Sequence, residues 1–294
     1  MNLELNSKTR NNYKGLLKIT LKCIVFALCS CIVSMLCHII NSAFIENVHG
    51  KPEFVSNILF AYSIGEKILF AIGYLVLGYK IPIKNTILRA FTYIMLIWAS
   101  NFIPQIMGLA GADGPIAASA FSVAIVVCDS ITYLVSGVLL GILFRNVPER
   151  NIRSCKRSRY IKTIITSAIG FPLLVIIVDQ LMEKIYAPFS SVTAMGVSDG
   201  RQMTFYMNFY SWFIVSGVLI AVFYRVTEYN EESDRGWLKF AMKYTILIWS
   251  PVVLIMIVFG TAVLPTVAYT MIFAICILII SWVDGKMLGS VQNI

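Results

Sequence analysis

Glu66 and Lys67 stand side by side near the middle of an apolar run, Asn57-Ile-Leu-Phe-Ala-Tyr-Ser-Ile-Gly65-Glu66-Lys67-Ile-Leu-Phe. An ionisable side chain at mid-bilayer costs roughly 2.5 to 3.5 kcal/mol on insertion scales, so it marks a place where something is bound or carried. A run beginning after Lys67 would be too short to cross a membrane, which puts the pair inside a span. A carboxylate beside an ammonium at that depth can bind a polar solute, or exchange a proton as its surroundings alternate between wet and dry. Neighbouring helical residues project about 100° apart, so the two need not pair with each other, and Lys67 with Asp129 is one interhelical ion pair that a structural reading offers. Gly65 is expected to admit a second backbone close by.

Asp129 lies near the middle of another apolar run, where Ser122, Asp129, Tyr133 and Ser136 recur at helical spacing as one polar stripe. Trp98, Asn101 and Gln105 follow at i, i+3 and i+7 in a third run, with Pro104 able to bend it. The candidate solute or ion site is therefore Glu66, Lys67 and Asp129, with Asn101, Gln105 and Tyr133 as neutral hydrogen-bond partners. Asp179 and His38, nearer the outer ends of their runs, are secondary candidates. The structural alternative for each buried charge is an ion pair between helices, which needs no ligand.

Recognisable enzyme chemistry is missing from the sequence: it has no His-Glu-x-x-His, no Gly-x-Ser-x-Gly and no P-loop. The pair Glu66 and Asp129 offers an acid couple for a lipid-modifying enzyme, but their spacing does not demand one. Two histidines and no Cys-x-x-Cys argue against a metal site, and no cofactor is expected. The seven cysteines fall in apolar runs or in a basic linker, so no disulfide framework is expected.

The elements that must hold these residues follow from composition. A chain of 294 residues that is 58% hydrophobic and 13% charged has too much apolar surface for one soluble core. Eight runs are long enough to span, at 17–42, 56–79, 86–108, 115–144, 160–186, 204–226, 237–259 and 264–283. Helices are the expected form, because an isolated strand leaves its backbone unpaired in lipid. The first run is longer than a signal-peptide core and no Ala-x-Ala site follows it, so it is read as a span. Of the Lys and Arg residues, twenty fall in segments that would be cytoplasmic with the N-terminus inside, and only Lys51, Lys184 and Arg201 fall outside. That bias places both ends in the cytoplasm of a cell-membrane protein, and assigns the net charge of +9 to orientation rather than to nucleic acid.

The runs also match one another. Tyr93-Ile-Met-Leu-Ile-Trp98 and Tyr244-Thr-Ile-Leu-Ile-Trp249 align at an offset of 151, and Gly78-Tyr79-Lys80-Ile81 aligns with Phe223-Tyr224-Arg225-Val226 at 145. Two halves with an even number of spans are expected to be parallel copies. The sequence thus predicts an all-α integral membrane protein of eight transmembrane helices in a 4+4 tandem repeat. Its parts are a basic tail (1–16), a first half (17–144), a basic linker (145–159), a second half (160–286) and a short tail (287–294). The linker region 145–162 is expected to touch anionic inner-leaflet lipid, and the acidic loop 228–234 is a candidate docking surface for a cytoplasmic partner. The functional expectation is a multi-pass transporter or permease for a small polar or amphiphilic solute. The alternative is a non-transporting accessory, immunity or assembly protein whose buried charges are structural.

Overall fold

The computed structural model describes residues 2–45, 56–111, 120–146, 157–185, 199–227, 236–258 and 263–289. These residues form eight α-helices and no strand: α1 (Asn2–Ile45), α2 (Ser56–Val76), α3 (Thr86–Gly111), α4 (Ala120–Leu143), α5 (Arg157–Ile185), α6 (Asp199–Thr227), α7 (Gly236–Val258) and α8 (Val263–Gly289). Each coincides with one apolar run. The boundaries differ most at two ends. Helix α1 continues back through the expected tail to Asn2, a stretch free of proline. Helix α8 runs past 283 to Gly289, which brings Asp284 into the helix.

Local chemistry sets the tight connection between α2 and α3. A 3-10 turn at Gly78–Lys80 closes α2, and the Asn85 carboxamide then accepts from the backbone N–H groups of Ile87 (3.0 Å) and Leu88 (3.1 Å), capping α3. Arg89 is buried and returns to this connection, donating from Nε to the Ile83 carbonyl at 2.8 Å. At the end of α4, Lys22 donates to the Leu143 carbonyl, placing a cation on free helix carbonyls. Basic residues read from the sequence as orientation signals therefore also tie helix ends together.

Helix α1 packs on α2 and α4, and α3 packs on α4. In the second set α5 packs on α6 and α8, and α7 packs on α8. The two sets meet where α3 lies along α6 and α2 lies along α7. Aromatic rings fill this junction. Tyr93 of α3 packs edge-on to Phe223 of α6 with centroids 6.3 Å apart, and Phe223 packs on Tyr244 of α7 at 5.6 Å. Both tyrosines also find hydrogen bonds: Tyr93 donates to the Phe70 carbonyl at 3.1 Å, and Tyr244 donates to Ser100 at 3.3 Å.

The outward surface is apolar. On α5, Ile161, Ile165, Ile169, Leu173 and Ile177 are exposed at four-residue intervals, while Thr163, Ser167 and Phe171 are buried on the opposite side. Helices α1, α4 and α8 carry similar exposed rows of Ile, Leu, Val and Met. Among the described residues three helices are long and apolar enough to cross a bilayer, over Gly15–Cys37, Ser158–Val178 and Thr270–Leu288. The shorter described apolar stretches are Thr86–Ser100, Val127–Leu143 and Phe213–Thr227.

Close backbone contact replaces side-chain packing at two positions. A Cβ at Gly141 would stand 2.5 Å from the Ile87 Cα, and one at Gly217 would stand 2.2 Å from the Ser167 carbonyl oxygen. Gly65, expected to admit a neighbouring helix, is exposed and has open space around it. Gly141→Ala and Gly217→Ala are each expected to destabilise the protein by about 1 to 3 kcal/mol, because backbone must shift to make room. Gly65→Ala is expected to cause no loss, since alanine is the better helix former. Thermal unfolding of the purified protein in detergent checks the contrast.

Candidate functional site

Helices α2 and α4 bring together three of the residues singled out from the sequence. Lys67 Nζ lies 2.7 Å from Glu66 Oε2, and Tyr133 donates its hydroxyl to Glu66 Oε1 at 3.3 Å. The pair is nearly sealed: the Lys67 side chain is 5% exposed and that of Glu66 13%. The ammonium also sits over two aromatic faces, 4.8 Å from the Tyr133 ring centroid and 5.0 Å from that of Phe70. Both rings are within cation–π range.

This geometry departs from the expectation in one respect. Lys67 is paired with its neighbour Glu66 and not with Asp129. The four-carbon stem is long enough to fold back along the helix, and the Phe70 and Tyr133 faces hold the ammonium beside the carboxylate. The result is a boxed cation: one carboxylate, two rings and almost no water. Such a pair is internally satisfied, so a ligand can reach Glu66 only when Lys67 swings away or the two helices part.

The stripe on α4 is oriented as its spacing predicts. Tyr133 and Ser136 are buried, Asp129 is half-buried one turn before Tyr133, and Ser136 donates to Ser30 of α1 at 3.0 Å. Ser122 falls outside the residues whose side chains are described. The same holds for Asn101 and Gln105 on α3, for Asp179 on α5 and for His38 on α1. The loop 228–234 and residues 147–156 of the basic linker also lie outside the described residues. Trp98, matched with Trp249 in the sequence, donates its indole N–H to Ser130 at 3.0 Å and so ties α3 to α4 beside Asp129. On α2, Ser63 approaches Cys31 of α1 at 3.4 Å, two turns of structure that border the pair.

A second buried acid escaped the sequence reading. Asp284 of α8 has no exposure, and Ser167 of α5 donates to its Oδ1. The last apolar run read from the sequence, 264–283, stops one residue short of Asp284. Met287 and Leu288 beyond it carry the apolar pattern onward, and Leu288 is buried, which is the signal that the helix continues. Lys80 and Arg89, which the sequence places among the cytoplasmic basic residues, are buried as well.

Comparison with known proteins gives no family: no family model, no curated protein and no solved structure matches the chain. No group of three or more metal-ligating His, Cys, Asp or Glu side chains occurs among the described residues.

The boxed pair predicts a particular pattern of stability. Lys67→Met leaves Glu66 charged and unpaired, and is expected to destabilise by about 3 to 5 kcal/mol. Adding Glu66→Gln removes the stranded charge, so the double variant is expected to recover a large part of that loss. Denaturant or thermal unfolding of the four members of the cycle measures the coupling.

Proposed function

We propose that the chain is a multi-pass transporter or permease of the cytoplasmic membrane, built from two parallel four-helix halves with both ends in the cytoplasm. The observation that carries this reading is the inversion of polarity. Ionisable groups (Glu66, Lys67, Asp284) are enclosed between helices whose outer faces expose Ile and Leu. A helix bundle in water favours the reverse, and intramembrane charges are functional candidates by default. The Glu66–Lys67 pair, reached by Tyr133 and flanked by Asp129, is the site proposed for a small polar or amphiphilic solute or its coupling ion. Opening of the α2–α4 contact would expose Glu66 to the aqueous phase and close it again when Lys67 returns.

The duplication is supported by more than the matched Tyr-to-Trp stretches. In each half the first helix packs on the second and the fourth and the third packs on the fourth, and Tyr93 and Tyr244 meet across Phe223 at the junction. Gly141 at the end of α4 lies against Ile87, and Gly285 near the end of α8 lies against Trp237, at the start of the third helix of its half. On this alignment the polar cluster of the first half and Asp284 in the second are not copies. The charged chemistry arose where the halves diverged.

One observation favours a second reading. The pair is nearly sealed and internally satisfied, as expected for a structural ion pair in an accessory, immunity or assembly protein. The two readings separate by access to water. In a cysteine-free background, Ser63→Cys is expected to react with a membrane-impermeant maleimide if an aqueous pathway opens to the pair. Ala71→Cys, in the packed core, is the unreactive control. Failure of Ser63→Cys to react while cysteines placed in the connecting loops do react contradicts the transporter reading and favours the accessory one.

A further inference from the structure

Asp284 is fully enclosed, although among the described residues no group of opposite charge reaches it. Ser167 satisfies Oδ1, while Oδ2 is sealed from solvent with no hydrogen-bond partner. Ser281 lies one turn earlier on the same buried face of α8, and its Oγ is also sealed and unpartnered. The described charged and titratable groups at this end of the adjoining helices are Arg159, Tyr160 and Lys162 on α5, Tyr224 and Arg225 on α6, Lys239 and Lys243 on α7, and Lys286 on α8 itself. None of them hydrogen-bonds to Asp284 or pairs with it. The corresponding contact in the first half has no such deficit, because Ser136 and Ser30 satisfy each other between α4 and α1.

A carboxylate removed from water without a counter-charge is strongly disfavoured, so this arrangement calls for a cation. The donors present are hard oxygens: a carboxylate and two hydroxyls. Soft metals prefer sulfur and nitrogen. Calcium takes about six to eight oxygens, magnesium keeps several waters, and either would leave a positive charge in excess. A single positive charge balances Asp284 and uses both orphan oxygens. We propose that Asp284, Ser281 and Ser167 form a site for a monovalent cation, either an alkali ion or a proton, in the second half of the molecule. The site is separate from the Glu66–Lys67 pair and holds whether or not that pair binds a solute.

The test uses the full-length protein purified in detergent, with choline chloride exchanged for sodium or lithium chloride at constant ionic strength. Wild type, Asp284→Asn and Ser281→Ala are compared by thermal unfolding and by infrared spectroscopy of the carboxyl group. An alkali ion gives saturable stabilisation that Asp284→Asn abolishes and Ser281→Ala weakens several-fold in apparent affinity. A bound proton gives an un-ionised carboxyl band in choline that Asp284→Asn removes and Ser281→Ala shifts. An ionised carboxylate in a protein whose melting ignores the cation overturns the proposal. Ser281→Ala keeps the acid and loses only one hydroxyl, so the proposal stays open to refutation even where the Asn variant does not fold.

Discussion

The constraint on which the rest of the structure depends is that every polar group must be satisfied by another part of the chain. Between tightly packed helices, water does not readily replace a missing hydrogen bond. The consequences appear at every scale. Lys22 finds the end of α4, Arg89 finds the Ile83 carbonyl, Trp98 finds Ser130, and Ser136 finds Ser30. Each of these contacts joins two elements distant in sequence or closes a connection. Polar residues therefore act as fasteners between helices, while non-directional apolar packing fills the space between them.

The same constraint explains the shape of the charged site. Lys67 is buried, so its ammonium gathers the Glu66 carboxylate and two ring faces in place of solvent. Tyr133 contributes twice, as a ring under the cation and as a hydroxyl donor to the anion. That double role binds α4 to α2 through the site itself. A movement that separates these helices must break the cation–π contact and the hydrogen bond together. Asp284 lacks any comparable partner, and its second oxygen, like Ser281 Oγ, the Tyr74 hydroxyl and Arg159 Nη1, is buried without a hydrogen bond.

Much of the helical layout was legible in the sequence because apolar length is a direct physical signal. The eight runs predict the eight described helices, and the period of Asp129, Tyr133 and Ser136 predicts which side of α4 turns inward. The pairing of charges was not legible. Helical geometry alone separates Glu66 from Lys67, and only the positions of Phe70 and Tyr133 decide where a flexible lysine rests. Asp284 was not legible for a different reason: it lies just past the apolar run 264–283, and only the continuation of α8 to Gly289 and its packing on α5 bury it. Gly65 shows the opposite error, since a small residue permits close approach only when its face of the helix turns toward a neighbour, and this one turns outward.

The claim that the molecule is built with its polar groups inside and its apolar face toward lipid is tested most directly on α5. Spin labels placed singly along residues 161–177 in the reconstituted protein report collisions with oxygen, which concentrates in lipid, and with a water-soluble paramagnetic reagent. The account predicts high oxygen contact at 161, 165, 169, 173 and 177, and low contact with both reagents at 163, 167, 171 and 175. Strong contact of the 161-to-177 series with the water-soluble reagent would contradict it.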